Sequence, residues 1–338
     1  MRLRALANMV LVLVLATLAQ AAPPIELELA SERGLQITAP HEWLQLLTAI
    51  GIENVRIRAA SPGDVPQVAN RGTAERPRYH VVGILTAREE LQLPGGTFHA
   101  GDRQKLADYF ERLAADGPES LTAPRGRFGL TEKEFTAVHA ELAQPVDFAT
   151  KGQPPRAVLE RLQTKFSLRL APDAPTELVL RDASPIQDEI RGLTAGTGLA
   201  IVLRSYRLAL RPEKSLGQPV TLRIVAIDSA GDTWPIGWES KASPRETAPA
   251  LFDFVNVEIE GYTLQEALDA IAPRIKLPLY WDHAVLAAGK IDPATVKIAL
   301  PRTRTFYKRV LDRALAQAHL AGQLRVDEDG TPFYWVTK

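Results

Sequence analysis

The chain contains no cysteine. Without thiols there is no disulfide, no thiolate metal site and no cysteine nucleophile, so stability has to come from packing. An excess of one charge is lacking too: 40 basic and 40 acidic residues cancel, which removes the electrostatic footprint of a nucleic-acid binder. After the first two dozen residues, no apolar run reaches the roughly 20 residues a membrane span needs. There is no G-x-S-x-G elbow, no phosphate-binding glycine loop and no dinucleotide fingerprint. The 6 histidines (His41, His80, His99, His139, His283 and His319) show no HxH or HExxH spacing that would set two imidazoles on one metal. No catalytic residue, metal ligand or cofactor is assigned, and binding is the expected mode of action.

What is present begins with residues 1–21. Arg2 and Arg4 precede an apolar core over 9–15, and the small residues Ala19 and Ala21 flank Gln20. This is the pattern of a cleavable secretory signal with cleavage after Ala21. It predicts a periplasmic or secreted protein with no transmembrane segment after cleavage. The remaining length suits two or three domains of ordinary size.

The pattern predicts an α+β chain of several small two-layer units with mixed sheets. Residues 25–117 read as β-α-β-β-α with one further strand: a strand at 35–39, a helix at 41–50 stopped by Gly51, and strands at 54–59, 79–85 and 90–93. A helix capped by Asp102 carries Leu106, Tyr109, Phe110 and Leu113. Residues 61–77 read as a surface loop. Residues 118–145 form a linker plus a short helix opened by the capping box Thr131/Glu134.

Residues 146–173 and 255–282 align without a gap. Val146 meets Val255, Gly152 meets Gly261, Leu159 meets Leu268, Leu162 meets Ile271 and Asp173 meets Asp282. The predicted repeats are 146–213 and 251–338, separated over 214–250 by a strand at 220–227 with its partner at 233–239 and a linker at 240–250. In the first, Ser184, Pro185 and Gln187 read as a helix start, with strands expected at 199–204 and 207–211. In the second, a strand at 255–259 leads to a helix over 264–275 opened by the box Thr263/Glu266. An apolar run at 277–281, a loop, a strand at 296–300, a helix from 305 and a last hairpin follow.

Both copies resemble the secretin/TonB short N-terminal domain, the N0-like module. The resemblance rests on the Thr-Leu-x-x-Ala-Leu-x-x-Ile pattern at Thr263, Leu264, Ala267, Leu268 and Ile271, on 296–300, and on Leu311, Ala314 and Leu315 before the hairpin. In the first copy Pro154-Pro155 stands where the pattern has Thr-Leu, and no pore-forming or barrel domain is expected after the second copy. The resemblance implies a non-catalytic interaction module that docks an envelope protein, for which strand addition to an open sheet edge is the expected mechanism.

Two further readings stand beside it. Trp234, Trp238 and Trp281, exposed, would make stacking surfaces for a glycan or peptidoglycan. A hydrolase whose acids converge only in the fold would leave no motif. Asp282-His283, just past a strand end, is the most site-like polar pair.

Overall fold

The computed structural model describes residues 24–229 and 231–338; the signal segment at 1–21 lies outside the described residues. The chain is mixed α and β with several small sheets, and it divides into two compact units at Ala123/Pro124.

The first unit opens with β1 (Ile25–Ser31), α1 (Ala39–Ala49), β2 (Asn54–Ala59), β3 (Gln67–Asn70), β4 (Tyr79–Leu85), β5 (Leu91–Leu93) and β6 (Gly96–Phe98). It closes with α2 (Arg103–Asp116) and the single turn α3 (Glu119–Thr122). β1 lies between β2 and β4, parallel to both, and β3 and β5 share the far edge of β4 in antiparallel pairing. Leu27 and Leu29 alternate inward on β1 and meet Trp43 and Leu47, one turn apart on α1, and Leu106, Phe110 and Leu113 of α2. The expected strand at 35–39 is absent: these residues form the turn into α1, and the first strand is β1. The expected loop at 61–77 holds β3, and β6 was not foreseen; both are short edge strands without a long alternation to reveal them.

On the sheet face bearing Glu28 and His80, Arg58 pairs with Glu28 and donates to both carboxylate oxygens of Asp64, at 2.5 and 3.0 Å. The Arg58 hydrogen bond holds the Asp64 carboxyl down at about 2, and the same guanidinium lowers Glu28. An unfolded carboxylate titrates near ~4, so stability from these ions is full above that pH and drains away as pH falls toward the folded values. Amide protection factors of β1 and β2 in the full chain are therefore expected to fall steeply from pH 4 to pH 2, and Arg58→Gln should flatten that dependence.

The second unit runs through α4 (Glu132–Leu142), α5 (Pro155–Gln163), β7 (Arg169–Pro172), α6 (Ala174–Asp182), α7 (Ala195–Ser205), β8 (Leu208–Glu213) and β9 (Thr221–Ala226). After a short α8 (Pro244–Thr247) come β10 (Phe254–Ile259), α9 (Leu264–Ile275), β11 (Leu279–Trp281) and α10 (His283–Gly289). β12 (Leu300–Phe306), α11 (Tyr307–Gln317), β13 (Ala321–Val326) and β14 (Pro332–Thr337) complete it. One sheet has the order β7-β9-β8 and another β11-β14-β13. In each, the first strand is parallel to the central one and the last two form an antiparallel hairpin.

The correspondence extends to register. Asp173 and Asp282 each cap the helix that follows, accepting from the amide three residues on. The bridge Pro145↔Thr194 answers the pair Phe254↔Phe306, which fixes offsets of 109 and 112 (254 minus 145, 306 minus 194). Those same offsets carry Leu170↔Leu222 onto Leu279↔Tyr334 and α7 onto α11. Three residues are thus added in the second segment between α10 and β12. The matching plan runs past 213 to include β9, which the sequence assigned to the region between the copies.

Several local expectations fail in this unit. Residues 199–204, expected as a strand, lie in α7. The run Leu199–Leu203 is apolar without a period, so helix and buried strand look alike in it. Two glycines decide for close packing: a Cβ on Gly196 would meet Glu328, and one on Gly198 would meet Ile190. The expected helix from Ser184 is irregular chain. The predicted loop after Trp281 contains α10, and the strand at 296–300 is displaced to β12. The linker at 240–250 holds α8, opened by the capping box Ser243/Glu246. Residues 233–239 do not pair with β9. The Trp234 amide donates to the Leu210 carbonyl of β8, while Trp238 bridges Val326 of β13.

α7 is buried along all of Ala195–Leu203. One apolar cluster joins it to Leu208, Leu222 and Ile224 of its own sheet and to Tyr280, Phe333 and Trp335 of the other. Alternate residues Tyr334 and Val336 face the opposite way, onto α9 and α11. β14 is therefore covered on both faces, and the two segments make one continuous body in which neither sheet could be removed without exposing aromatic surface.

Candidate functional site

β10 pairs with β12 alone among the described residues, so its other edge carries unpaired backbone donors and acceptors. Beside that edge lies a groove of about 450 Å³ whose lining includes Val255, Val257, Ala267, Ala270, Ile271, Arg274 and Tyr307. Phe254 and Tyr262 stand nearby, 69% and 57% exposed. Local sequence explains its position. The box Thr263/Glu266 fixes where α9 starts, and the apolar residues at three- and four-residue spacing hold that helix against the core. The carboxyl of Glu266, which also lines the groove, is held low by the Thr263 amide and hydroxyl, so its charge is committed to the cap.

The first segment shows what a filled groove looks like. Where the second has Val257, the first has Phe148, 6% exposed. Arg161 lies 4.1 Å over that ring, and Lys165 bonds Asp147 at 2.6 Å alongside. The corresponding residues in the second segment are Ala270, Arg274 and Asn256. A ring and its cationic cover are replaced by two small apolar side chains, and the space they leave is the groove.

The residues singled out in the sequence go elsewhere. Trp234 is 3% exposed, its Nε1 donating to Glu328 at 2.5 Å, and Trp281 is 8% exposed in the core of the second segment. Trp238, half-buried, packs edge-on against Trp234 at 5.3 Å with Arg127 over its ring. Trp234 and Trp238 come together, Trp281 does not join them, and the three form no exposed stacking surface.

Asp282 and His283 are likewise structural. Asp282, 1% exposed, receives Arg204 Nε at 3.2 Å, the Thr337 hydroxyl at 3.0 Å and the Val285 amide at 3.2 Å. His283 Nε2 lies 2.8 Å from Asp188 of the first segment. A third tie joins the β13–β14 turn to the start of α7, which has no side-chain cap of its own. Glu328 accepts from the hydroxyls of Thr194 and Thr197 and from the Thr197 amide, and Asp327 accepts from the Thr194 amide. Carboxylates some 130 residues downstream thus serve as the cap and offset the helix dipole. Burial pushes the Asp327 carboxyl up despite those bonds. Sequence inspection gave the Asp-Glu-Asp-Gly turn no such role, because nothing local ties it to Thr194.

Compared with known proteins, the chain matches no family model, no curated protein and no solved structure. Among the described residues, no helix is long and apolar enough to cross a membrane.

Proposed function

We propose that the chain is an exported, non-catalytic binding protein of the cell envelope built around two diverged copies of one N0-like module. The second copy docks an extended segment of a protein partner along β10. The observation that carries this reading is the open groove beside an unpaired strand edge, at the place where the first copy plugs itself with Phe148 under Arg161. An added strand would satisfy the β10 backbone and lower an apolar or aromatic side chain between Val257 and Ala270. The shared sheet order and register of the two segments support the duplication.

The test installs the first copy's plug in the second. Val257→Phe with Ala270→Arg is expected to leave circular dichroism unchanged and to cut recovery of a discrete envelope protein by at least ~10-fold, the loss of one well-buried anchor. Equal recovery by the plugged chain, or retention on peptidoglycan with no protein partner, would count against it.

A further inference from the structure

The outer face of the first segment's sheet differs in kind from the groove. Leu170, Leu222, Ile224 and Leu210 point to the helices, so the alternate residues of the same three strands point away from them. At adjacent register these are Ala171 on β7, Arg223 on β9 and Arg211 on β8, with Arg169 and Thr221 paired one step along. In the second segment the corresponding face is aromatic and covered by α7. In the first, Ala209 and Val225 are buried and the rest of the face carries Arg169, Arg211 and Arg223.

A depression of about 410 Å³ lies over this face, lined by Arg169, Arg223, Thr221, Ser215 and Glu213. Glu213 is already taken, receiving Arg211 at 2.9 Å. Asp173 feels the charge of Arg223, but its carboxylate accepts the Thr176 amide at the start of α6. The Arg223 Nε atom is buried and has no hydrogen-bond partner among the described residues. A buried guanidinium N–H without an acceptor is costly, and the small oxyanions that guanidinium forks match would relieve that cost.

We propose that this depression is a binding site for a phosphate group, held by the guanidinium groups of Arg223 and Arg169 and by the hydroxyls of Ser215 and Thr221. Two fork donors and two hydroxyls suit the tetrahedral oxygens of phosphate, and lysine would not reproduce the planar donor pair. The site is separate from the β10 groove and does not depend on the docking reading.

The test is titration of the full chain with inorganic phosphate at low ionic strength, followed by calorimetry and by the amide resonances of β7 and β9. Saturable binding with a Kd on the order of 1 mM is expected, the range open to so small a ligand. Arg223→Gln should weaken it roughly 10-fold or more, and the exposed Arg169→Gln, which leaves the sheet intact, by at least ~3-fold. Arg56→Gln in the first unit should change nothing. A second arm uses phosphatidylglycerol vesicles. Retention that inorganic phosphate competes away and Arg169→Gln weakens would support the site and assign its phosphate to a lipid headgroup. An unsaturable phosphate response, or binding that both arginine variants retain in full, would overturn it.

Discussion

Phe333→Ala is expected to cost the second unit about 3–5 kcal/mol, the range for truncating a fully buried aromatic residue. Phe333 is 0% exposed, meets Tyr280 edge-on at 5.8 Å, and lies so close to Gly237 that a Cβ there would approach its ring at 2.5 Å. It belongs to β14 of the second segment by sequence, yet its side chain packs with α7 of the first. The loss should therefore appear in both segments. In urea the midpoint falls with little change in slope, and amide protection of β8 and β9 drops together with that of α9. Full protection of β8 and β9 in the variant would mean that the segments unfold independently, and the shared layer would then have no energetic weight.

How far the sequence could be read follows from where each signal is local. The capping box Thr263/Glu266 and the apolar stripe of α9 placed that helix at the residues observed, because both are satisfied within a few residues of chain. Strands β2 and β4 likewise fell where alternation and flanking turns put them. α7 was missed because its helical state is imposed by what surrounds it, two sheets and a cap supplied by Asp327 and Glu328. The groove stood in plain view in the gapless alignment, as Phe148 against Val257 and Arg161 against Ala270. It carried no meaning until the ring was seen filling in one segment the space left open in the other. The tryptophans misled for the opposite reason. Large aromatic residues at strand ends look like ligand platforms, but a chain that stacks two small sheets around one helix needs that much apolar surface between them.

Asp282→Ala is expected to remove about 3 kcal/mol, the lower end of the range for breaking a buried ion pair, because Arg204 keeps part of its hydration with a side chain 34% exposed. The natural comparison is Asp173→Ala at the corresponding position, where the same carboxylate caps α6 and has no arginine within ion-pair distance among the described residues. Loss of a cap alone should cost about 1 kcal/mol. Asp282→Asn, which keeps an acceptor for Val285 and Thr337 but loses the charge, should fall between the two. A double-mutant cycle with Arg204→Met isolates the tie across the segments, and a coupling of at least ~1 kcal/mol is expected for residues in direct contact. Equal costs for Asp173→Ala and Asp282→Ala, with no coupling to Arg204, would show that the second carboxylate is only a cap. Asp282 would then have no joining role, and the tie across the segments at this point would rest on His283 and Asp188. A measured coupling would instead fix its use: a helix cap that also fastens the second segment to the first.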